Sequence, residues 1–184
     1  KGWVDYCYQQ LKPYLPLNPP VYRKVKDHRL TKGYSENYFV RSRVHPLTTK
    51  LRKIWYPNDT KIIPFSFIEK YLTEEALAWW YQDDGHLKIE NNKVTKLILS
   101  TDSFTKEENE RLIELLFQKY QLQFRRDRQN RILLYDRYQI FHFLFLVERC
   151  LQPAMHRKMN PYTKPNKLAQ KTAIRLPKQI RLKA

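Results

Sequence analysis

Glycine is scarce: Gly2, Gly33 and Gly85 are the only three in a chain of 184 residues. They stand far apart, so the sequence holds neither a GxGxxG turn nor a P-loop, which excludes nucleotide binding of those kinds. Two cysteines, Cys7 and Cys150, exclude a disulfide framework and a zinc site built on cysteine pairs. No apolar run approaches the ~18 residues of a membrane span, and no signal peptide is visible. The chain therefore reads as soluble and intracellular (cytoplasm, nucleoid or organelle matrix) with no membrane partner. Acidic residues are also few. There are 18 Asp+Glu against 35 Lys+Arg, for a formal net charge of +17. What is abundant is aromatic and apolar: 13 Tyr, 9 Phe and 4 Trp, with 42% hydrophobic residues overall, exclude a disordered chain. A folded chain with clustered positive charge implies a polyanionic partner, most simply nucleic acid.

The patterning gives an ordered series of elements. Residues 2–15 place Trp3, Tyr6, Cys7, Gln10 and Leu11 on one helical face. Residues 21–29 read as a strand, and 37–44 alternate as its partner. Pro46 opens a helix over 46–56. Thr73 is an N-cap with Glu74 and Glu75 in the first turn of a helix running to Gly85. Two strands, 86–90 and 94–101, flank Asn91-Asn92. Ser103 or Thr105 caps a long amphipathic helix to Tyr120. A hairpin around Arg128-Gln129-Asn130 and an apolar helix, 137–151, follow. Residues 73–151 thus spell α-β-β-α-β-β-α, and the preceding part spells α-β-β-α. The expected fold class is α+β, with two related units of which the first lacks an opening helix and hairpin. The tail after Glu148 is basic without one acidic residue, and its prolines 161, 165 and 177 argue against one continuous helix. It reads as an arm lying on phosphates.

Chemistry concentrates in Leu77-Ala78-Trp79-Trp80-Tyr81-Gln82-Asp83-Asp84-Gly85. Carboxylates at a helix C-terminus are unfavourable by about 0.3–1 kcal/mol each, so at least one of Asp83 and Asp84 calls for another use. Together with the last helical carbonyls they form a concentrated oxygen-ligand set suited to Mg2+. The plainer alternative is a solvated Asp pair before a glycine C-cap.

The stretch LTEEALAWWYQDDGHLK resembles the second signature motif of the LAGLIDADG homing endonucleases, in the branch where one chain carries two motifs. Leu77, Ala78, Asp84 and Gly85 match the motif's ends, while Trp79, Trp80 and Tyr81 replace its central Gly-Leu-Ile. KIIPFSFIEKYLT, LILSTDSFTKEENERLIELLFQKYQL and LQPAMHRKM are similar to the same branch, so the resemblance covers about residues 36–160. It implies paired signature helices whose acidic ends hold divalent metal (Mg2+ or Mn2+). It also implies antiparallel sheets forming a saddle on double-stranded DNA, and cleavage of both strands. By the same resemblance Asp84 is the metal ligand, with Asp83 its neighbour, and Lys61 and Lys158 are the catalytic lysines near the two scissile phosphates. His86 is assigned no chemistry.

The expected DNA surface consists of Arg23, Lys24 and Lys26 on one strand and Arg41 and Arg43 on its partner. Lys88 follows the motif, and Arg125, Arg126, Arg128 and Arg131 crowd the last hairpin. Arginine on a sheet offers bidentate contacts to guanine and salt-dependent contacts to phosphate.

The sequence departs from the two-motif pattern in one respect: no Gly-Asp-terminated first motif is present. The expectation is an incomplete N-terminal unit over 1–66, a C-terminal unit over 67–160 and a basic tail over 161–184. The absent α-β-β segment amounts to on the order of 40 residues, and with it the protein is expected to be a monomer. A non-cleaving derivative that binds DNA or intron RNA, such as a maturase or regulator, is the alternative function.

Overall fold

Side-chain caps set the helix starts. Thr73 Oγ1 accepts from the Ala76 amide, Asp136 accepts from Gln139, and Thr105 forms a reciprocal capping box with Glu108. The computed structural model describes residues 1–91 and 93–159, so the basic tail expected over 161–184 lies outside the described residues. The elements are α1 (Gly2–Leu11), β1 (Val21–Lys26), β2 (Tyr34–Phe39), α2 (Pro46–Trp55), α3 (Phe65–Tyr71) and α4 (Glu74–Asp84). They continue as β3 (Gly85–Glu90), β4 (Lys93–Leu99), α5 (Lys106–Tyr120), β5 (Arg125–Arg126), β6 (Ile132–Leu134) and α6 (Arg137–Glu148), closed by a 3-10 turn at Pro153–Lys158. β1 and β2 pair as an antiparallel ribbon. A second antiparallel sheet has the order β3-β4-β6-β5.

The core lies under this four-stranded sheet. Leu77, Ala78 and Tyr81 of α4 meet Leu112 and Leu116 of α5 and Ile140, Phe143 and Val147 of α6. Each of the Leu, Ile, Val and Phe side chains contributes roughly 1.5–3 kcal/mol on burial. The period of two assigns the sheet faces. Leu97 pairs with Leu134 and Leu99 with Ile132, and all four join the core. Ile98 pairs with Leu133 between them and therefore points to the opposite, outer face. By contrast, α1, β1, β2 and α2 contain no buried residue.

Several elements differ from expectation. β2 begins at Tyr34 and ends at Phe39, so Arg41 and Arg43 are not on a strand paired with β1. The reason is a competing partner: the Arg43 amide donates to Pro16 O and Arg41 O accepts from Asn18, around a Leu17–Ser42 bridge. Pro19 and Pro20, lacking N–H groups, separate that bridge from β1. The first helix stops at Leu11, short of residue 15. The short helix α3, behind Pro64, is additional to the series read from patterning.

Candidate functional site

The last turn of α4 is the centre of the site. Gly85 follows it because no side chain fits there: a Cβ would collide with the ring and carbonyl of Tyr81. The chain can thus pass directly from α4 into β3, with Asp83 and Asp84 exposed at the junction. Their carboxylates are directed differently. Asp83 Oδ1 accepts from Trp3 Nε1 at 3.3 Å, and Trp3, Tyr6 and Trp79 form an aromatic cluster with centroids 5.3–5.7 Å apart that seats α1 on α4. Asp84 instead lines a cavity of about 370 Å³, shared with Trp55, Lys61, Trp80, Ser100 and Phe104.

Both expected lysines reach this region by different routes. Lys61 lies on the cavity wall with Asp84. Its Nζ donates to Ser103 Oγ at 3.2 Å and sits 4.6 Å from the centre of the Phe104 ring. Lys158 reaches the end of α4 from the 3-10 turn, where its Nζ donates to the carbonyls of Tyr81 (3.1 Å), Gln82 (2.6 Å) and Asp83 (3.2 Å). An ammonium has three N–H donors, so none remains for a phosphate in this arrangement. Burial and the nearby Arg157 push the Lys158 pKa below its ordinary value, against the opposing pull of Asp83 and Asp84. The helix-end carbonyls counted from sequence among the metal's oxygens are therefore already occupied.

Buried Gln82 fastens the same helix end. Its Nε2 donates to Ala78 O and Cys150 O, and its Oε1 accepts from the Gln152 amide. This residue was not singled out from sequence. A glutamine on the inward side of an otherwise apolar helix was the available signal.

A divalent cation fits what remains. Among the described residues, no group of three or more His, Cys, Asp or Glu side chains converges. Mg2+, however, is commonly held by one or two carboxylates, with water and substrate phosphates completing its shell. Asp84 is placed for that, with Asp83 beside it.

The basic residues do not form one surface. On the β1–β2 ribbon, the register places Lys24 opposite Glu36 and Lys26 opposite Tyr34. They share a face with Tyr22 and Tyr38, whose rings meet at a tilt with centroids 5.0 Å apart, while Arg23, opposite Asn37, points to the other. Arg41 lies over the Phe39 ring at 4.8 Å. On the larger sheet, Lys88 is opposite Lys96 and pairs with Glu90 at 2.6 Å. Arg125, opposite Leu133, is on the outer face. Arg126, opposite Ile132, turns inward toward Glu110 of α5 and does not belong to the outer surface. Arg131 is held by both oxygens of Asp127 through one hairpin turn, and Arg128 is exposed at its tip.

An acidic helix end beside a cavity lined by Lys61, running directly into an antiparallel sheet, fits the LAGLIDADG α+β fold. Residues 1–141 match the model of the LAGLIDADG DNA endonuclease family, and the chain belongs to that family. The solved structure described as the homing endonuclease I-WcaI bound to its DNA recognition sequence matches with a TM-score of 0.74 at 28% identity. The match covers 86% of this chain and 70% of that one. A probable intron-encoded endonuclease 1 of Wickerhamomyces canadensis is 33% identical over 125 residues, 66% of this chain and 52% of its own length. An uncharacterized protein of Methanocaldococcus jannaschii is 28% identical over 160 residues. The cytochrome b mRNA maturase bI2 of Debaryomyces hansenii is 29% identical over 118. The chain spans 61% of the Methanocaldococcus protein and 39% of the maturase. No helix among the described residues is long and apolar enough to cross a membrane.

Proposed function

We propose that this chain, within its full-length protein, belongs to a sequence-specific double-strand DNA endonuclease of the homing type that hydrolyses phosphodiesters with Mg2+ or Mn2+. The observation that carries the reading is the exposed carboxylate of Asp84 on one cavity wall with Lys61. A bound divalent cation supplies charge stabilisation at the phosphate and an activated water. Asp84 holds that cation, with Asp83 as the neighbouring carboxylate that α1 orients. Lys61 has an ammonium only partly engaged by Ser103 and donates to the scissile phosphate as charge develops there. Lys158 is the second lysine of the site, attached to the helix end itself. Arg23, Lys24, Lys26, Arg41, Arg43, Lys88, Arg125 and Arg128 supply phosphate and base contacts on the duplex. Arg131 acts through the hairpin that it and Asp127 close.

The maturase relative favours one second reading, a derivative that binds intron RNA without cutting DNA. Retention of the full-length protein on duplex DNA and on structured RNA at matched salt separates the two. Cleavage of pooled random duplexes in Mg2+, lost on chelation, supports the endonuclease. Preferential RNA retention with intact DNA supports the second reading.

A further inference from the structure

We propose that Lys158 is a positioning residue: its ammonium is the built-in counter-cation of the α4 C-terminus, fixing the turn from which Asp83 and Asp84 diverge. The proposal rests on the endonuclease reading only for what Asp84 is held in place to do.

The last turn of α4 is electrostatically unfavourable by itself. It ends in two carboxylates and has no basic residue of its own, although the dipole there is already negative. Apart from Tyr81 O, which accepts from the Gly85 amide, the final helical carbonyls also lack local backbone donors. Lys158 answers both needs from 76 residues away, by placing one ammonium on three successive carbonyls at 2.6–3.2 Å. The attachment is reciprocal, since Tyr81 Oη donates back to the Lys158 carbonyl at 2.5 Å. Gln82 makes the neighbouring bonds to Cys150 and Gln152, so the segment after α6 is fastened to the motif helix along its whole final turn. Asp83 and Asp84 can then face α1 and the cavity respectively.

Arginine distinguishes a clamp from a mere charge. Its planar guanidinium spreads its donors and cannot put one nitrogen where three carbonyls converge. The test uses the full-length protein without DNA. Lys158→Met and Lys158→Arg are both expected to lower the melting temperature by about 4 °C or more. In Lys158→Met, Mn2+ is expected to raise the melting temperature more than in wild type, because the vacated carbonyls and two carboxylates then take the metal. In wild type itself, the Lys158 ammonium is expected to give a resolved, slowly exchanging 1H–15N signal at mildly acidic pH, absent from Lys158→Arg. The wild-type signal is read without either variant, so it decides the proposal even if a variant fails to fold. Wild-type melting in both variants, full restoration by arginine, or an ammonium signal lost to rapid exchange overturns the proposal. If the wild-type protein cuts no DNA, the endonuclease reading falls, and these DNA-free measurements still decide the clamp.

Discussion

Single residues at the end of α4 carry distinct duties despite being neighbours. Asp84 faces the cavity, whereas Asp83 is engaged by Trp3. Asp83→Asn keeps an acceptor for that indole and is expected to cost less than tenfold in cleavage rate, measured on one duplex at saturating Mg2+. Beside them, burial and then Asp83 push the Cys7 thiol up to about 11 from 9.0. The folded protein thus favours the neutral thiol. The associated stability is fully present below pH 9 and is lost as pH rises toward 11. Denaturant titrations of wild type and Cys7→Ala are expected to run parallel below pH 9, with wild type losing more stability than the variant between pH 9 and 11, because the raised Cys150 and Tyr6 are common to both. Gly85 illustrates a residue whose reason was half visible. Its place at the motif's end was legible, but the requirement comes from Tyr81 packing where a Cβ would go. Gly85→Ala is expected to destabilise by about 2–3 kcal/mol, read by chemical denaturation.

Among the elements, those with strong periodicity or caps were legible. α4, α5 and α6 and the hairpin β3–β4 fall where Thr73, Thr105, the apolar spacing and Gly85 place them. Pairing partners were not. Alternation over 37–44 suits a strand, but it cannot say that residues 41–43 meet 16–18 instead of β1. Likewise, a cluster of arginines has no face until register supplies one, and register turns Arg126 toward Glu110. The β5–β6 turn depends on a buried polar link absent from any motif. Asn109 Nδ2 donates to the carbonyls of Thr101 and Asn130, and Asn130 Nδ2 donates to Phe104 O. Asn109→Leu is expected to cost about 1–3 kcal/mol. It is also expected to speed amide exchange at Gln129 and Arg131, whose amides donate to Asp127.

Across the whole molecule, the charge that first suggested nucleic acid is unevenly placed. Residues 1–66 hold 13 Lys+Arg and 4 Asp+Glu, while residues 67–159 hold 15 and 14. The part whose helices α1 and α2 and ribbon β1–β2 contain no buried residue is the strongly cationic one, and the part with most of the core and Asp84 is nearly neutral. Neutralising Arg23, Lys24 and Lys26 to Gln is therefore expected to lower the slope of log K against log salt by about one per lost phosphate contact. Neutralising Lys88, Lys96 and Arg125 is expected to change it less, since Lys88 is already paired with Glu90. The family was legible because Leu77-Ala78 and Asp84-Gly85 bracket the motif, with similar stretches in order on either side. The role of Lys158 was not, because three carbonyls converge on it only after the segment behind α6 folds back onto α4. The central claim is that Asp84 holds the metal that cuts DNA. Its most direct test is Asp84→Asn in the full-length protein, assayed for duplex binding and for Mg2+-dependent cleavage on the same site. The account predicts binding within a few-fold of wild type and no detectable cutting. Unchanged cleavage by Asp84→Asn would contradict it.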